Sequence, residues 1–301
     1  MIFLIFAILC SVSLNIIFKF SEKSESNRLA VNFFNFVGAT IISAILVSKQ
    51  IISDTEWLPA FFSELGQAAV ESGKFVLVTP PALTLFIGFI NGFLYFGAFY
   101  ILQVSTSHNG SAMTATFNKL GVMVPAILSV LFFHETPEAL QVIGVFMALL
   151  AIMIIYLKKE TSSIVTLKTA LFGTFFLGGF ADFTSKIYQV YGIEKFQNLF
   201  IFFTFAFSLI FTGILMLVKD RRIKRTDAVF GLIAGIPSQF ISLFLLYALT
   251  SIPAFVVFPL YSVGVILVVN IINLMFFKEK LTINQFAAIG LIIAAVVLLN
   301  V

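Results

Sequence analysis

The sequence predicts an all-α integral membrane protein of ten transmembrane helices, arranged as two inverted five-helix repeats. Three observations carry this expectation. Apolar residues make up 60% of the 301 and charged residues only 11%, against about 25% charged in water-soluble domains. The apolar residues gather in runs of about 20, enough to cross roughly 30 Å of hydrocarbon. Residue patterns in the first half recur in the second.

Such runs fall at 2–20, 29–48, 82–103, 111–133, 138–157, 168–191, 197–218, 227–249, 253–277 and 282–300. Backbone polar groups in hydrocarbon must bond internally, which makes each run a helix. No Lys or Arg precedes the first run, and Leu9 rather than a small residue precedes Cys10. Residues 2–20 therefore read as a retained span and not as a cleaved signal. Most connections are short, so successive spans are antiparallel neighbours. The segment 49–81 is longer. It sets Trp57, Phe61 and Phe62 among Glu56, Glu64 and Glu71, like an amphipathic interfacial element, and ends at Thr79-Pro80-Pro81. Gly88, Gly92 and Gly97, and Gly231 and Gly235, recur every four or five residues, which lets helices approach closely.

Twelve Lys and Arg lie in loops after odd spans and three, Lys49, Lys74 and Lys195, after even ones. The positive-inside rule then puts the odd loops in the cytoplasm and both termini outside, in a cell (plasma) membrane. The net charge of +4 reads as topology and not as nucleic-acid binding. The basic run Lys219–Arg225 is an anchor that can touch anionic lipid. A single Cys and two His give no disulfide framework and no metal site. There is no phosphate-binding Gly-rich loop, no Asp-rich pair of motifs to hold magnesium and no nucleophile arrangement. No catalytic residue and no cofactor are expected.

The internal repeat is legible at several positions. Phe132-Phe133-His134-Glu135 with Gln141 matches Phe276-Phe277-Lys278-Glu279 with Gln285, 144 residues on, and Thr106 matches Thr250. Gly88 and Gly92 match Gly231 and Gly235, 143 residues on. Asn15-x3-Lys19 matches Asp182-x3-Lys186 at 167, the 23 extra residues being about the surplus of the 49–81 loop over the 219–226 loop. The halves, 1–160 and 161–301, then hold five spans each. An odd number makes the two copies cross the membrane in opposite directions, as in many secondary transporters.

With Gln141-x2-Gly144 after Phe133-His134-Glu135, and Gln285-x4-Gly290 after Phe277-Lys278-Glu279, the chain resembles the drug/metabolite transporter superfamily, in particular its EamA-like members, over nearly its whole length. The resemblance implies a central cavity lined by the third, fourth, eighth and ninth spans, with the first and sixth completing the wall. It implies no substrate. Small multidrug resistance proteins resemble this fold but use an acidic residue in the first span for proton exchange. Residues 2–20 carry no Asp or Glu, so Asp182 of the other half is the remaining candidate.

Charge inside a span costs about 2.5–3.5 kcal/mol on insertion scales. Asp182 sits near the centre of the sixth span with Lys186 one turn on, either a self-neutralising pair or a substrate- or ion-responsive one. Lys119 lies roughly 12 Å into the fourth span at about 1.5 Å per residue. Asn118 stands beside it, and Gly121 and Pro125 mark a loosened stretch. A fixed ammonium there suits a carboxylate or phosphate; snorkelling to the interface is the alternative. Lys19 ends the first span, where snorkelling is the simpler reading, and Asn15 is a central amide needing a partner. Tyr95, Tyr100, Gln239, Tyr247, Tyr261, Asn270 and Asn273 lie on the expected cavity spans, each as a helix–helix hydrogen bond or a ligand contact. Glu135 and Glu279 read as interfacial caps or gate contacts.

These residues point to a secondary transporter moving a small organic metabolite, an amino acid or other carboxylate-bearing solute, by alternating access. Proton or exchange-substrate coupling is expected, in a monomer or homodimer among membrane lipids. The competing readings are a flippase for a lipid-linked group, an accessory membrane subunit of the same fold, and a membrane-embedded enzyme.

Overall fold

The computed structural model describes residues 1–24, 26–53, 59, 63, 80–156, 167–219, 222–276 and 283–299. Most of the expected interfacial segment 49–81, the second motif Phe277-Lys278-Glu279 and Lys158, Lys159 and Arg221 lie outside the described residues, as do the side chains of Asn273 and Gln285.

Every expected span is helical: α1 (Ile2–Lys23), α2 (Arg28–Ser53), α3 (Pro80–Asn109), α4a (Ser111–Leu120) with α4b (Met123–Phe133), α5 (Ala139–Tyr156), α6 (Lys168–Tyr191), α7 (Gln197–Lys219), α8 (Arg225–Leu249), α9 (Ala254–Phe276) and α10 (Ile283–Leu299). Seven are long and apolar enough to cross a bilayer, and α5 and α10 are shorter apolar helices. The tenth, α6, carries Asp182 and Lys186. Outward-facing residues such as Phe132 and Phe146 remain 66% exposed, an exterior suited to acyl chains and not to water. The chain is a multi-pass α-helical membrane protein.

Two elements differ from the expected runs. Helix α3 continues six residues past 103, through Ser105-Thr106-Ser107-His108-Asn109. These residues support the helix themselves: the Thr106 hydroxyl donates to the Leu102 carbonyl at 2.7 Å, and the hydroxyls of Ser105 and Thr114 meet at 2.8 Å. Gly110, at φ 79°, then turns the chain into α4a in one residue, a conformation open to glycine. The fourth span is interrupted at Gly121-Val122. Pro125 has no N–H to give the Gly121 carbonyl, and its ring crowds that oxygen. Val124 N–H takes the carbonyl over at 3.0 Å, a tighter turn.

The residues form two compact units, each drawing on both sequence halves. The first comprises Met1–Asn15, Gly97–Lys186 and Phe244–Val301. Its core pairs α5 with α10 through Ala148, Ala151 and Ile152 against Ala288, Ile292 and Ala295, small residues at helical spacing that bring the backbones together. A Cβ on Gly144 would lie 3.2 Å from the Ala295 carbonyl oxygen. In the same unit, a Cβ on Gly121 of the fourth span would meet the Phe175 carbonyl oxygen of α6 at 2.7 Å, and one on Gly264 of α9 would strike Ile8 of α1.

The second unit comprises Ile16–Phe96 and Ile187–Leu243 and is built on α2 against α7. Tyr188 and Phe200 stack at 4.1 Å between centroids. Helix α3 meets α7 where Gly88 abuts Phe203 and the Phe200 carbonyl and Gly92 abuts the Thr204 carbonyl; helix α8 meets α2 where Gly231 abuts Phe34 and the Val31 carbonyl and Gly235 abuts the Asn35 carbonyl. Buried polar side chains bond across these seams, Ser238 donating to Asn35 Oδ1 at 2.8 Å and Asn91 to the Thr204 hydroxyl at 3.3 Å. In hydrocarbon such groups must find protein partners.

Candidate functional site

The first unit gathers Lys119, Asp182 and Lys186. Lys119 occupies the last turn of α4a, just before the interruption at Gly121-Val122. Three glycines seat the fourth span on α6. Gly121 packs on Phe175, a Cβ on Gly179 would collide with the Gly121 carbonyl and Val124, and one on Gly178 would lie 3.3 Å from Asn118 Oδ1. This crossing brings Lys119 within electrostatic range of Asp182. The Lys119 ammonium also stands 6.0 Å from the Tyr261 ring centroid of α9, a cation–π distance. Lys119, Asn118, Asp182 and Tyr261 are each half-buried.

Lys186, one turn beyond Asp182, has a carboxylate partner outside α6. Its ammonium is 3.0 Å from Glu135 Oε1, with side-chain exposures of 8% and 11%, and 5.9 Å from the Phe133 ring. The same carboxylate accepts the N–H of Ala254 at 3.0 Å and of Phe255 at 3.3 Å, two first-turn donors of α9 with no partner inside their helix. Glu135 reaches them because His134 adopts a left-handed conformation, φ 53° and ψ 33°, which ends α4b and turns the chain back. Lys119 and Glu135 thus approach α6 from the fourth span and the turn after it, where Gly178 and Gly179 let that span lie against α6. The small residues on both spans were the available signal. Nothing in the sequence marked the turn at His134.

The other candidate residues are accounted for locally or stand apart. Asn15 lies on an exposed face of α1 and donates to the Ser11 carbonyl at 2.7 Å. Asn270, 8% exposed, donates to the Ile266 carbonyl at 3.0 Å. Tyr100 is half-buried in the first unit. In the second unit the Ser43 hydroxyl donates to buried Gln239, the Tyr95 and Ser242 hydroxyls are 3.5 Å apart, and Lys19 is half-buried. The Gln239 bond joins α2 to α8, whereas the Asn270 bond stays within α9. Among the described residues no group of His, Cys, Asp and Glu could hold a metal ion.

Three contacts among the described residues join connections of like parity. Asn27, after α1, donates to the Arg222 carbonyl at 3.1 Å, after α7. Asn109 and Leu167, beside the connections after α3 and α5, exchange two hydrogen bonds of 3.0 and 3.1 Å. Glu135 and Ala254 border the connections after α4b and α8.

Comparison with known proteins agrees with this architecture. An uncharacterised protein of Haemophilus influenzae is 26% identical over 286 residues, 93% of this chain and 90% of its own length. A solved crystal structure superposes with a TM-score of 0.71 over 99% of this chain and 94% of that one, at 12% identity, a likeness of fold alone. Residues 1–157, over half of the chain, match the model of the EamA-like transporter family. The chain belongs to the EamA-like transporter family.

Proposed function

We propose that the protein is a secondary transporter that carries a small carboxylate-bearing organic solute by alternating access, with Lys119 taking the anionic group. The observation that carries this reading is that Lys119 and Asp182 lie within electrostatic range of one another inside two spans. An ammonium there is costly to keep charged without a partner, and Asp182 supplies one that a solute carboxylate can replace. Both side chains keep accessible surface, and the Tyr261 ring gives the ammonium a second, weaker contact. Asn118, beside Lys119 and against Gly178, offers an amide for the same solute. Asp182 then serves as the counter-charge in the empty state and as the candidate acceptor of a coupling proton.

The inverted repeat that alternating access uses is supported by paired contacts. Gly88 and Gly92 on α3 correspond to Gly231 and Gly235 on α8 at 143 residues. Their partners Phe200, Phe203 and Thr204 correspond to Val31, Phe34 and Asn35, each at 169. Gly121 on Phe175 and Gly264 on Ile8 repeat the relation at 143 and 167. The contacts between loops of like parity support alternating span directions, with odd loops cytoplasmic and both termini outside a cell membrane.

In reconstituted vesicles, Lys119→Ala should abolish saturable carboxylate flux while leaving the yield of folded protein intact. A thermal-shift screen of the solubilised protein against amino acids, organic acids, sugars and nucleotides should return carboxylates. Wild-type flux in the Lys119 variant would remove it from the site.

A further inference from the structure

Along one face of α6 stand two charges of opposite sign, each matched by a residue of the fourth span. Asp182 interacts with Lys119, and Lys186, one helical turn on, is 3.0 Å from Glu135. Residues four apart on a helix are themselves neighbours, about 5–6 Å between Cβ atoms. Lys186 thus has Asp182 within reach of its flexible stem as well as Glu135. Glu135 has no such alternative on its own short segment. Its carboxylate binds three donors on two other helices: the ammonium of α6 and the N–H groups of Ala254 and Phe255 at the start of α9. Exposed His134 adjoins Glu135 in the chain, and Asp182 and Lys119 lie along the seam between α6 and the fourth span.

We infer that these four residues form a charge-exchange latch in which occupation of Lys119 by an anion moves Lys186 from Glu135 to Asp182, loosening the tie between the fourth span, α6 and the start of α9. This rests on the transporter reading for its purpose, but not for its geometry. With the site empty, Lys119 compensates Asp182 and Lys186 compensates Glu135. An anion on Lys119 takes up the cation that Asp182 faced. Lys186 is the other cation on the same face of α6, and its move leaves Glu135 with two backbone donors in place of three. Loss of the charge-assisted bond, the strongest of the three in kind, weakens the latch without abolishing it. The device needs no movement of Asp182 itself.

The test requires no solute. In a Cys10→Ala background, Ala254→Cys places a thiol at a position with 0% exposure, and a membrane-impermeant maleimide reads its opening in the detergent-solubilised full chain. Lys119→Met removes the charge that an anion would occupy and should raise the labelling rate about tenfold, the loss of roughly one charge-assisted bond. Adding Asp182→Asn to Lys119→Met should return the rate to the starting value, since Lys186 then has no second carboxylate. Glu135→Gln should raise the rate whether or not Lys119 and Asp182 are changed. Lys119→Gln and an Ile252→Cys reporter repeat the test should the first variants not fold. An unchanged rate in Glu135→Gln means no latch. A raised rate in Glu135→Gln with an unchanged rate in Lys119→Met means a latch uncoupled from the site. Either overturns the inference while leaving carboxylate flux, and so the transport reading, to its own assay.

Discussion

Gly92 of α3 and Thr204 of α7 pack so closely that a Cβ on the glycine would lie 2.7 Å from the Thr204 carbonyl oxygen. Gly235 of α8 stands in the same relation to Asn35 of α2, again at 2.7 Å. Backbone oxygen cannot step aside as a flexible side chain can. Gly92→Ala and Gly235→Ala should each cost about 1–3 kcal/mol, the range for overpacking a close-packed seam. Gly290→Ala, with nothing within 4 Å of its Cβ position, should be neutral or stabilising by up to about 1 kcal/mol of helix propensity. Thermal unfolding in detergent distinguishes them. A large loss at Gly290, or none at the other two, contradicts the packing described.

Much of this fold was legible in the sequence because hydrocarbon is a simple solvent. It demands long apolar runs whose backbone bonds internally, so ten helices followed from run length. The four-residue glycine spacing of α3 and α8 flagged their close seams before any partner was known. The pairing of charges was not legible. The i, i+4 rule favoured Asp182 with Lys186, and both were singled out, as were Lys119 and Glu135. Their partners depend on how α6 crosses the fourth span, which is set by Gly121, Gly178 and Gly179 acting together at long range. Helical amides are ambiguous for a related reason: Asn15 and Asn270 each donate to the carbonyl four residues back, and composition does not distinguish such an amide from one that also meets a ligand.

His134 holds φ 53° at the end of α4b, with its side chain exposed. A left-handed conformation costs a non-glycine residue roughly 1–2 kcal/mol. His134→Gly should therefore raise the unfolding temperature, by about 1 kcal/mol of stability, while leaving the Glu135 bonds in place. His134→Val should lower it, because a β-branched residue tolerates positive φ poorly. Equal stability in all three would mean that the turn is not held in solution.

Removing the negative partner tests the Lys119 ammonium from the other side. In Asp182→Asn the ammonium loses its compensating charge, and the empty protein should be less stable by about 1–3 kcal/mol, as when a desolvated polar group is left unmatched. Carboxylate solutes should then stabilise the variant more than the wild type, since they no longer displace an internal partner. Neutral amides of the same solutes should not. A parallel thermal-shift series on both proteins checks this, and identical carboxylate shifts would show that Asp182 does not compete for Lys119.

Asp227, in the first turn of α8, is 0% exposed and accepts two backbone donors, Asn27 N–H at 3.1 Å and Lys224 N–H at 2.9 Å. One bond caps its own helix, where a carboxylate also meets the positive end of the dipole. The other fastens the start of α2 to the loop before α8. Asp227→Ala leaves both N–H groups without this acceptor and should cost about 1–3 kcal/mol. Asp227→Asn retains one acceptor oxygen but turns an NH2 group toward a donor, so it should recover only part of the loss. Because the bonds are local, hydrogen exchange should quicken at 27–31 and 222–228 and stay unchanged at the Ala148–Ala295 core of the other unit. Uniform quickening across both units would mean that Asp227 supports the whole molecule, not this junction.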